Sequence, residues 1–386
     1  MVLGIHWHDA HDRLKQGYLT TTQMYDRHVR PTKRRFWSLF VAEVNSWSTW
    51  VDMPLSERLT NYRNGFLSKS AALYDFDTYD RKDYLTDLER QRTAYINEHQ
   101  FSGYLTNKLG FHWAMQGLDD HRCEVYGVID GGRFHPLADI TKEGRRESPD
   151  TSVDAAEYVF NHVESGDDLI VKPCDKSGGK GVRRYGFNGE KYHINGTDTT
   201  ADKLSAEVAG LDATLVMEHV EQADYAANLF PDSANTIRVI TMWDSHEQEV
   251  FCPIAVHRIG TEATVPIDNF GAGGISAKVD LETGELSEGV QFTDAGITHT
   301  STHPDTGSQI EGTTIPGWED IRDGVLNIAD EFSHVPYVGW DVVVTDPGEF
   351  VIIEANGTTD VDLLQAHGPL LTNDQTRRFY EFHGIL

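Results

Sequence analysis

The 386-residue chain is poor in cysteine, poor in positive charge and without a long apolar run. Each shortage excludes something. Its three cysteines (Cys123, Cys174, Cys252) lie far apart and form no C-x-x-C pair, so neither a disulfide framework nor a cysteine zinc site is expected. Cys174 lacks the His–Asn neighbours of a nucleophile. No stretch approaches the roughly 18 apolar residues that a membrane span needs. The opening "MVLGIHWHDAHDRLKQ" lacks the basic and apolar regions of a signal peptide, so a cytoplasmic protein is expected. Lys and Arg number 33 against 61 Asp and Glu, giving a formal net charge of −28. A surface this negative repels nucleic acid and anionic lipid. It also opposes compaction unless salt screens it, which points to a halophilic host, an ordinary acidic protein being the alternative.

What is there suits a globular chain of two or three lobes, with 39% apolar and 10% aromatic residues. Residues 1–104 read mainly as helices. "DRHVRPTKRRFWSLFVAEVNSW" and "RKDYLTDLERQRTAYINEH" space large apolar side chains three and four apart. The histidines of "HWHDAH" (His6, His8, His11) and the basic cluster Arg30–Arg35 read as solvent-facing. From position 105 the texture becomes α/β. "NKLGFHWAMQGL" predicts a helix, "CEVYGVI" a strand, "GGRFHPLADITKEGRRESPD" a turn-rich linker, "GDDLIVKP" a strand and "NGEK" a hairpin turn. Residues 105–220 form one expected lobe and 221–386 a second, richer in strands.

Within the first lobe, "IVKPCDKSGGKGVRRYGF" concentrates three of the scarce lysines, Lys172, Lys176 and Lys180, around Gly178, Gly179 and Gly181. It is not a P-loop, because Lys180 is followed by glycine and strands flank the run. A glycine-rich loop between antiparallel strands still folds over phosphate, with amides donating and lysines neutralising charge. Glycine is needed because a Cβ would hold the backbone away from the anion. A ligand-free hairpin tip is the bland alternative.

Near the end, "GWDVVVTDPGEFVIIEANG" reads as a hairpin turned at Pro347-Gly348. Glu354 and Asn356, two apart, share a face. Asp341 then lies opposite on that face. Two carboxylates and an amide oxygen suit Mg²⁺ on nucleotide phosphates. Without a cation, a buried carboxylate pair repels itself.

Together these residues resemble the ATP-grasp superfamily of carboxylate–amine ligases, in the superfamily's order. The resemblance assigns Lys108 ("TNKLGFHW") and Lys172 ("IVKP") to the nucleotide phosphates, with Lys176, Gly178, Gly179, Lys180 and Gly181 in the covering loop 176–181. It assigns Met217, Glu218 and Val220 ("VMEHV") to adenine, Arg238 ("NTIRV") and Arg258 ("VHRIG") to catalysis, and Asn269 ("DNFGAGGI"), in the loop after that substrate-side arginine, to the cofactor. Asp341, Glu354 and Asn356 match the magnesium triad. "GFLSKSAALYDFD", "ANTIRVITM", "GWDVVV" and "LLQAHGPLL" are similar to the sugar-transfer-associated branch, often labelled alpha-L-glutamate ligase-related. One departure is Asn107 where the family often has Asp before the first lysine. No residue clearly matches the ribose-binding acid, Glu221 standing in.

The resemblance implies an α+β ATP-grasp fold with helices in front, and a ligase using ATP with one or two Mg²⁺ or Mn²⁺. The γ-phosphoryl would pass to a carboxylate, and an amine or sugar-linked acceptor would attack the acylphosphate. Cell-surface polysaccharide or sugar precursors are the implied substrates. A kinase-like phosphotransferase and a non-catalytic ATP sensor are the alternatives. The helical front would shape the acceptor site or an oligomer contact.

Overall fold

The computed structural model describes residues 53–386 except 142–143, 147–151, 177 and 294–295, together with residues 40, 41 and 43. The histidines of "HWHDAH" and the Arg30–Arg35 cluster fall outside the described residues.

Two antiparallel sheets of different make-up face one cleft. The first is built from β1 (Val125–Asp130), β2 (Arg133–Pro136), β5 (Val153–Asp154), β6 (Leu169–Pro173), β7 (Arg183–Phe187), β8 (Tyr192–Ile194), β9 (Thr197–Thr199) and β10 (Thr214–Glu218), in the order β5-β2-β1-β10-β6-β7-β8-β9. Strands β3 (Asp139–Thr141) and β4 (Gly144–Arg146) form a small separate pair. The expected linker after position 130 is therefore partly strand. Gly131 and Gly132, both at positive φ, turn the chain so that β2 pairs back on β1. Their turn chemistry was legible, but the short strand beyond it was hidden by its Pro and His.

The second sheet runs β16 (Gly296–Thr300), β15 (Leu286–Thr293), β14 (Ile275–Val279), β13 (Ala255–Ile259), β11 (Ile237–Asp244), β17 (Tyr337–Asp346), β18 (Glu349–Asn356), with β12 (Glu249–Phe251) also on β11. The expected hairpin between β7 and β8 turns at Asn188–Lys191 with Gly189 at φ 91°.

Side chains alternate across each strand, and the alternation assigns the faces. On the first sheet, Leu169, Val171 and Val216 pack under the helices Ala155–Glu164 and Ala201–Ala209. Ile170, Leu215 and Met217, between them in sequence, turn to the cleft. On the second sheet, Ile237, Val239, Val342 and Ile352 pack beneath helix Trp318–Glu331. The opposite face carries Arg238, Arg258, Asp341 and Glu354 at its cleft end. Farther along, Ile240, Met242, Val256 and Tyr337 are covered by Phe66, Tyr84, Leu85, Leu364 and Tyr380. The segment from 55 to 97 and the last turns of the chain thus share one core against the site-bearing face.

The helices on either side of position 105, His99–Thr106 and Lys108–Ala114, place Leu105, Phe111 and Met115 in the core of the second sheet. No described helix is long and apolar enough to cross a membrane.

Candidate active site between the two sheets

The cleft encloses about 970 Å³ with its open mouth included. From the first lobe it is lined by Lys108, Lys172, Lys176, Gly179 and Lys180, with Met217, Glu218 and Val220 at its apolar end. From the second lobe it is lined by Arg258, Asn269, Asp341 and Glu354. Residues scattered over almost 250 positions of sequence therefore converge on one space. Among the described residues, Arg238, Asn356, Gly178 and Gly181 stand outside that lining and touch it through neighbours, as follows.

Lys108 opens a helix whose N-cap is Asn107, and the Asn107 side chain accepts from Gly110 N–H at 2.9 Å. Asn and Asp are comparably good N-caps, which is a physical reason why Asn serves where the family often has Asp. The buried Lys108 sends its Nζ to the carbonyl of Lys176 at 2.5 Å, against the start of the glycine-rich turn. Lys172 is also buried, on the cleft face of β6 and opposite Leu215. The turn itself holds Gly178, Gly179 and Gly181 at φ 68°, 72° and 82°, a region only glycine enters readily. Gly181 folds against Pro173, where an added Cβ would lie 2.9 Å from Cγ.

At the hinge, Glu218 and Glu124 exchange hydrogen bonds. Glu218 N–H donates to the Glu124 carbonyl at 3.0 Å, and Glu124 N–H donates to Glu218 Oε1 at 2.7 Å. Burial pushes the Glu218 carboxyl up despite that hydrogen bond. Beside it, burial pushes the Cys123 thiol up to about 12. Burial likewise raises Cys174. These thiols stay protonated, in line with the absence of a cysteine nucleophile from the sequence reading.

The second lobe presents a chain of buried charges. Arg238 and Asp341 are directly opposed on β11 and β17, and Asp341 is opposed to Glu354 on β18. Arg238 grips Asp341 with two nitrogens, Nε to Oδ1 and Nη2 to Oδ2 at 3.0 Å, while its Nη1 donates to Thr359 Oγ1 at 2.9 Å. Arg258 Nη1 reaches the same Oδ2 at 3.0 Å, and its Nη2 donates to Asp268. Burial would raise the Asp341 carboxyl, but Arg238 and Arg258 outweigh it and hold it below the usual carboxylate range. Glu354 is half-buried, as its place after "FVII" led one to expect.

Asn356 lies one step along the strand on the same face, opposite Gly339, with its buried Nδ2 lacking any hydrogen-bond partner. The triad fits a hard cation in its donor chemistry and in its shared face. Of the Asp341 oxygens, Oδ2 accepts from both arginines and Oδ1 from Arg238 alone, so a lone pair on Oδ1 is left for a cation beside the arginine contacts. Among the described residues no group of three or more His, Cys, Asp or Glu is arranged to hold a metal.

Sequence reasoning missed Asp268, Thr236, Arg184 and His219, which also line the cleft. Asp268 adjoins Asn269 in "PIDNFGAGG", and a carboxylate one residue before a suspected site residue was the available signal. Arg184 lies in the stretch "IVKPCDKSGGKGVRRYGF" itself and pairs with Asp168 at 2.6 Å. Of the acids soon after the hinge, Asp232 reaches the lining and Glu221 does not.

The family model described as sugar-transfer associated ATP-grasp matches residues 95–377. The chain belongs to that family. This ATP-grasp protein has the fold the resemblance implied, an α+β architecture of two sheets with helices in front. No curated protein matches it by sequence. Among solved structures it is similar to D-cycloserine synthetase DcsG, at 13% identity over 77% of each chain with a TM-score of 0.42. It is also similar to D-alanyl-alanine synthetase A from Vibrio cholerae, at 11% identity over 75% of this chain and 67% of the other, with a TM-score of 0.37. A third is an L-amino acid ligase from Bacillus licheniformis, at 9% identity, 74% and 48% coverage and a TM-score of 0.34.

Proposed function

We propose that this ATP-grasp protein is an ATP-dependent ligase joining a carboxylate to an amine or another nucleophile through an acylphosphate. The observation that carries the reading is the convergence on one cleft of two kinds of charge. Lysines and a glycine turn meet it on one side, and Arg258, backed by Arg238, meets it on the other with a carboxylate pair.

In this reading a substrate carboxylate oxygen attacks the γ-phosphorus, the β–γ bridging bond breaks, and ADP leaves. The nucleophile then attacks the acyl carbon, phosphate departs, and the amine loses its proton. Lys108 and Lys172 hold the α- and β-phosphates, and the backbone of Gly178 to Gly181 covers them. Met217, Val220 and Ile170 bound the adenine. Arg258, with Arg238 behind it, meets charge that develops on the transferring phosphoryl, for which a planar fork is suited. Asp341, Glu354 and Asn356 would hold Mg²⁺, which supplies charge neutralisation at the phosphates. The remaining work of the protein is positioning and exclusion of water. The sugar-transfer association of the family favours a sugar or polysaccharide precursor as acceptor, and a cytoplasmic, ATP-supplied setting. A halophilic origin is consistent with the net charge of −28.

The test begins with melting temperature in Mg-ATP, Mg-GTP, and ATP with chelator, for the wild type and Glu354→Gln. A ligand at 100 times its Kd stabilises by about 2.7 kcal/mol. We expect an ATP-selective, magnesium-dependent rise that Glu354→Gln loses. Carboxylates are then screened for ADP release with hydroxylamine present. A hydroxamate product supports the acylphosphate. A stable phosphoester instead would establish a kinase, and binding without substrate-dependent ADP release a sensor.

A further inference from the structure

Three consecutive residues, Ile267, Asp268 and Asn269, touch both halves of the cleft at once. Asp268 is 4% exposed and anchored on the second sheet. One carboxylate oxygen accepts from Arg258 Nη2. The other accepts from Thr236 N–H at 2.8 Å and Thr236 Oγ1 at 2.5 Å. The residues on either side point to the glycine turn of the first lobe. Ile267 sits so close to Gly179 that a Cβ built there would lie 2.2 Å from its Cδ1. Asn269 Nδ2 donates to the Gly178 carbonyl at 2.8 Å, and its Oδ1 accepts from Gly271 N–H at 2.9 Å, which fixes the amide's orientation. The amide expected at the cofactor thus also holds the glycine turn.

We infer that Asp268 is a positioning residue and that the triplet 267–269 couples the seating of the glycine turn to the alignment of Arg258. Adjacent peptide planes leave little slack between positions 267 and 269. A shift of the glycine turn that pulls on Ile267 and Asn269 therefore moves Asp268, and Asp268 carries Arg258. Coupling of this kind is reciprocal, so loosening either end loosens the other. Arg258 is then presented for phosphoryl transfer when the turn is seated and water is shut out. The coupling itself stands on the contacts above. Only the role of Arg258 rests on the proposed ligase reading.

The test uses Asp268→Asn, which does not touch the glycine turn, and Asn269→Ala, which does not touch Arg258. The first readout is trypsin cleavage after the exposed Lys176 and Lys180 without nucleotide. The second is the extra rise in melting temperature when aluminium fluoride, a mimic of a phosphoryl group in transfer, is added to Mg-ADP. We expect both variants to raise the cleavage rate by about fivefold, the scale of one lost hydrogen bond. Both should also lose most of the fluoride-dependent rise, beyond any change in the rise with Mg-ADP alone.

The coupling is overturned if Asp268→Asn affects only the fluoride response, or if Asn269→Ala affects only cleavage. Should Asp268→Asn fail to fold, Asn269→Ala decides by the same two readouts, because its bond is at an exposed position. A wild type that gains nothing from Mg-ADP would sink the nucleotide reading. In that event the cleavage comparison still decides the coupling, with Arg258→Lys standing in for the fluoride response by its effect on cleavage.

Discussion

The two sheets that face each other across the cleft carry their charges in different ways. On the side of the first, Lys108, Lys172, Lys176 and Lys180 form no salt bridge with any described residue, although Arg184 beside them is paired with Asp168. On the second, Arg238, Arg258, Asp341 and Asp268 are joined into one buried chain in which each charge already has an opposite neighbour. The first lobe holds cations that a phosphate would neutralise for the first time. The second holds pairs whose charges already offset one another before any ligand arrives. Charge in the first lobe thus bears on binding, whereas charge in the second bears on stability and binding together.

The largest expected effect tests that division. Asp341→Asn leaves two buried guanidinium groups against each other without their shared carboxylate. Breaking a buried pair of this kind costs about 3–5 kcal/mol, readable in urea denaturation. Lys172→Met, by contrast, should leave stability equal or improved while abolishing the Mg-ATP shift. Equal losses in the two variants would end the distinction.

A second contrast lies in pH. The Asp341 carboxyl is held below its ordinary value, so its contribution is present above the unfolded value near 3.9. That contribution is lost only as pH falls through the lower folded value. Asp362 behaves in the opposite sense. Burial pushes its carboxyl up to about 6, with Asp360 and Asp87 adding to the shift, and Arg90 and Lys69 opposing it. The folded state then binds the proton more tightly, so this contribution is full below about 4 and declines as pH rises to about 6. Melting temperature between pH 4 and 6 should therefore show a shallower dependence in Asp362→Asn than in the wild type, once the common carboxylate trend is subtracted.

Smaller effects are expected at the meeting line of the lobes. Gly179→Ala combines left-handed strain with a clash on Ile267, and should cost about 1–3 kcal/mol together with part of the Mg-ATP shift. The smallest is Asn107→Ala, which removes a helix cap worth about 1 kcal/mol. Asn107→Asp should be neutral, as judged by melting temperature. A loss in the Asp variant would show that the amide does something a cap does not.

Much of this was legible in the sequence because it depends on local pattern. The glycine-rich turn and a Pro-Gly turn two residues long both follow from short-range stereochemistry. That turn alone would set Asp341 opposite Glu354, and the pairing is found, but across two register shifts, between Val344 and Asp346 and between Asp341 and Val342, that cancel and that no pattern announced. What was not legible depends on pairing between distant segments. Nothing in "DNFG" reveals that Asp268 meets Arg258, or that Asn269 reaches Gly178. The helix of "NKLGFHWAMQGL" reads as the start of the first lobe, yet its Phe111 and Met115 pack on the second. Periodicity gives a helix its buried stripe but not the surface that covers it. Arg238 and Arg258 were singled out by resemblance, and their shared carboxylate was assigned only to metal because sequence cannot display an ion pair across a ladder.

Asn97 carries a consequence for the whole site. Its buried side chain donates to the carbonyls of Tyr337 and Gly357, each at 2.6 Å, and accepts from Tyr337 N–H at 3.2 Å. These backbone groups lie just past the open end of the hairpin formed by β17 and β18, whose other end is closed by Pro347 and Gly348. A hairpin fastened only at its turn is free to slip at the far end, and a slip of one residue would carry Asp341 or Glu354 to the opposite face. Asn97 works as a second clasp. It checks the alignment of the two strands from a segment some 240 positions earlier in the chain, so the early helices act as a gauge for the spacing of the carboxylates as well as a cover for the sheet.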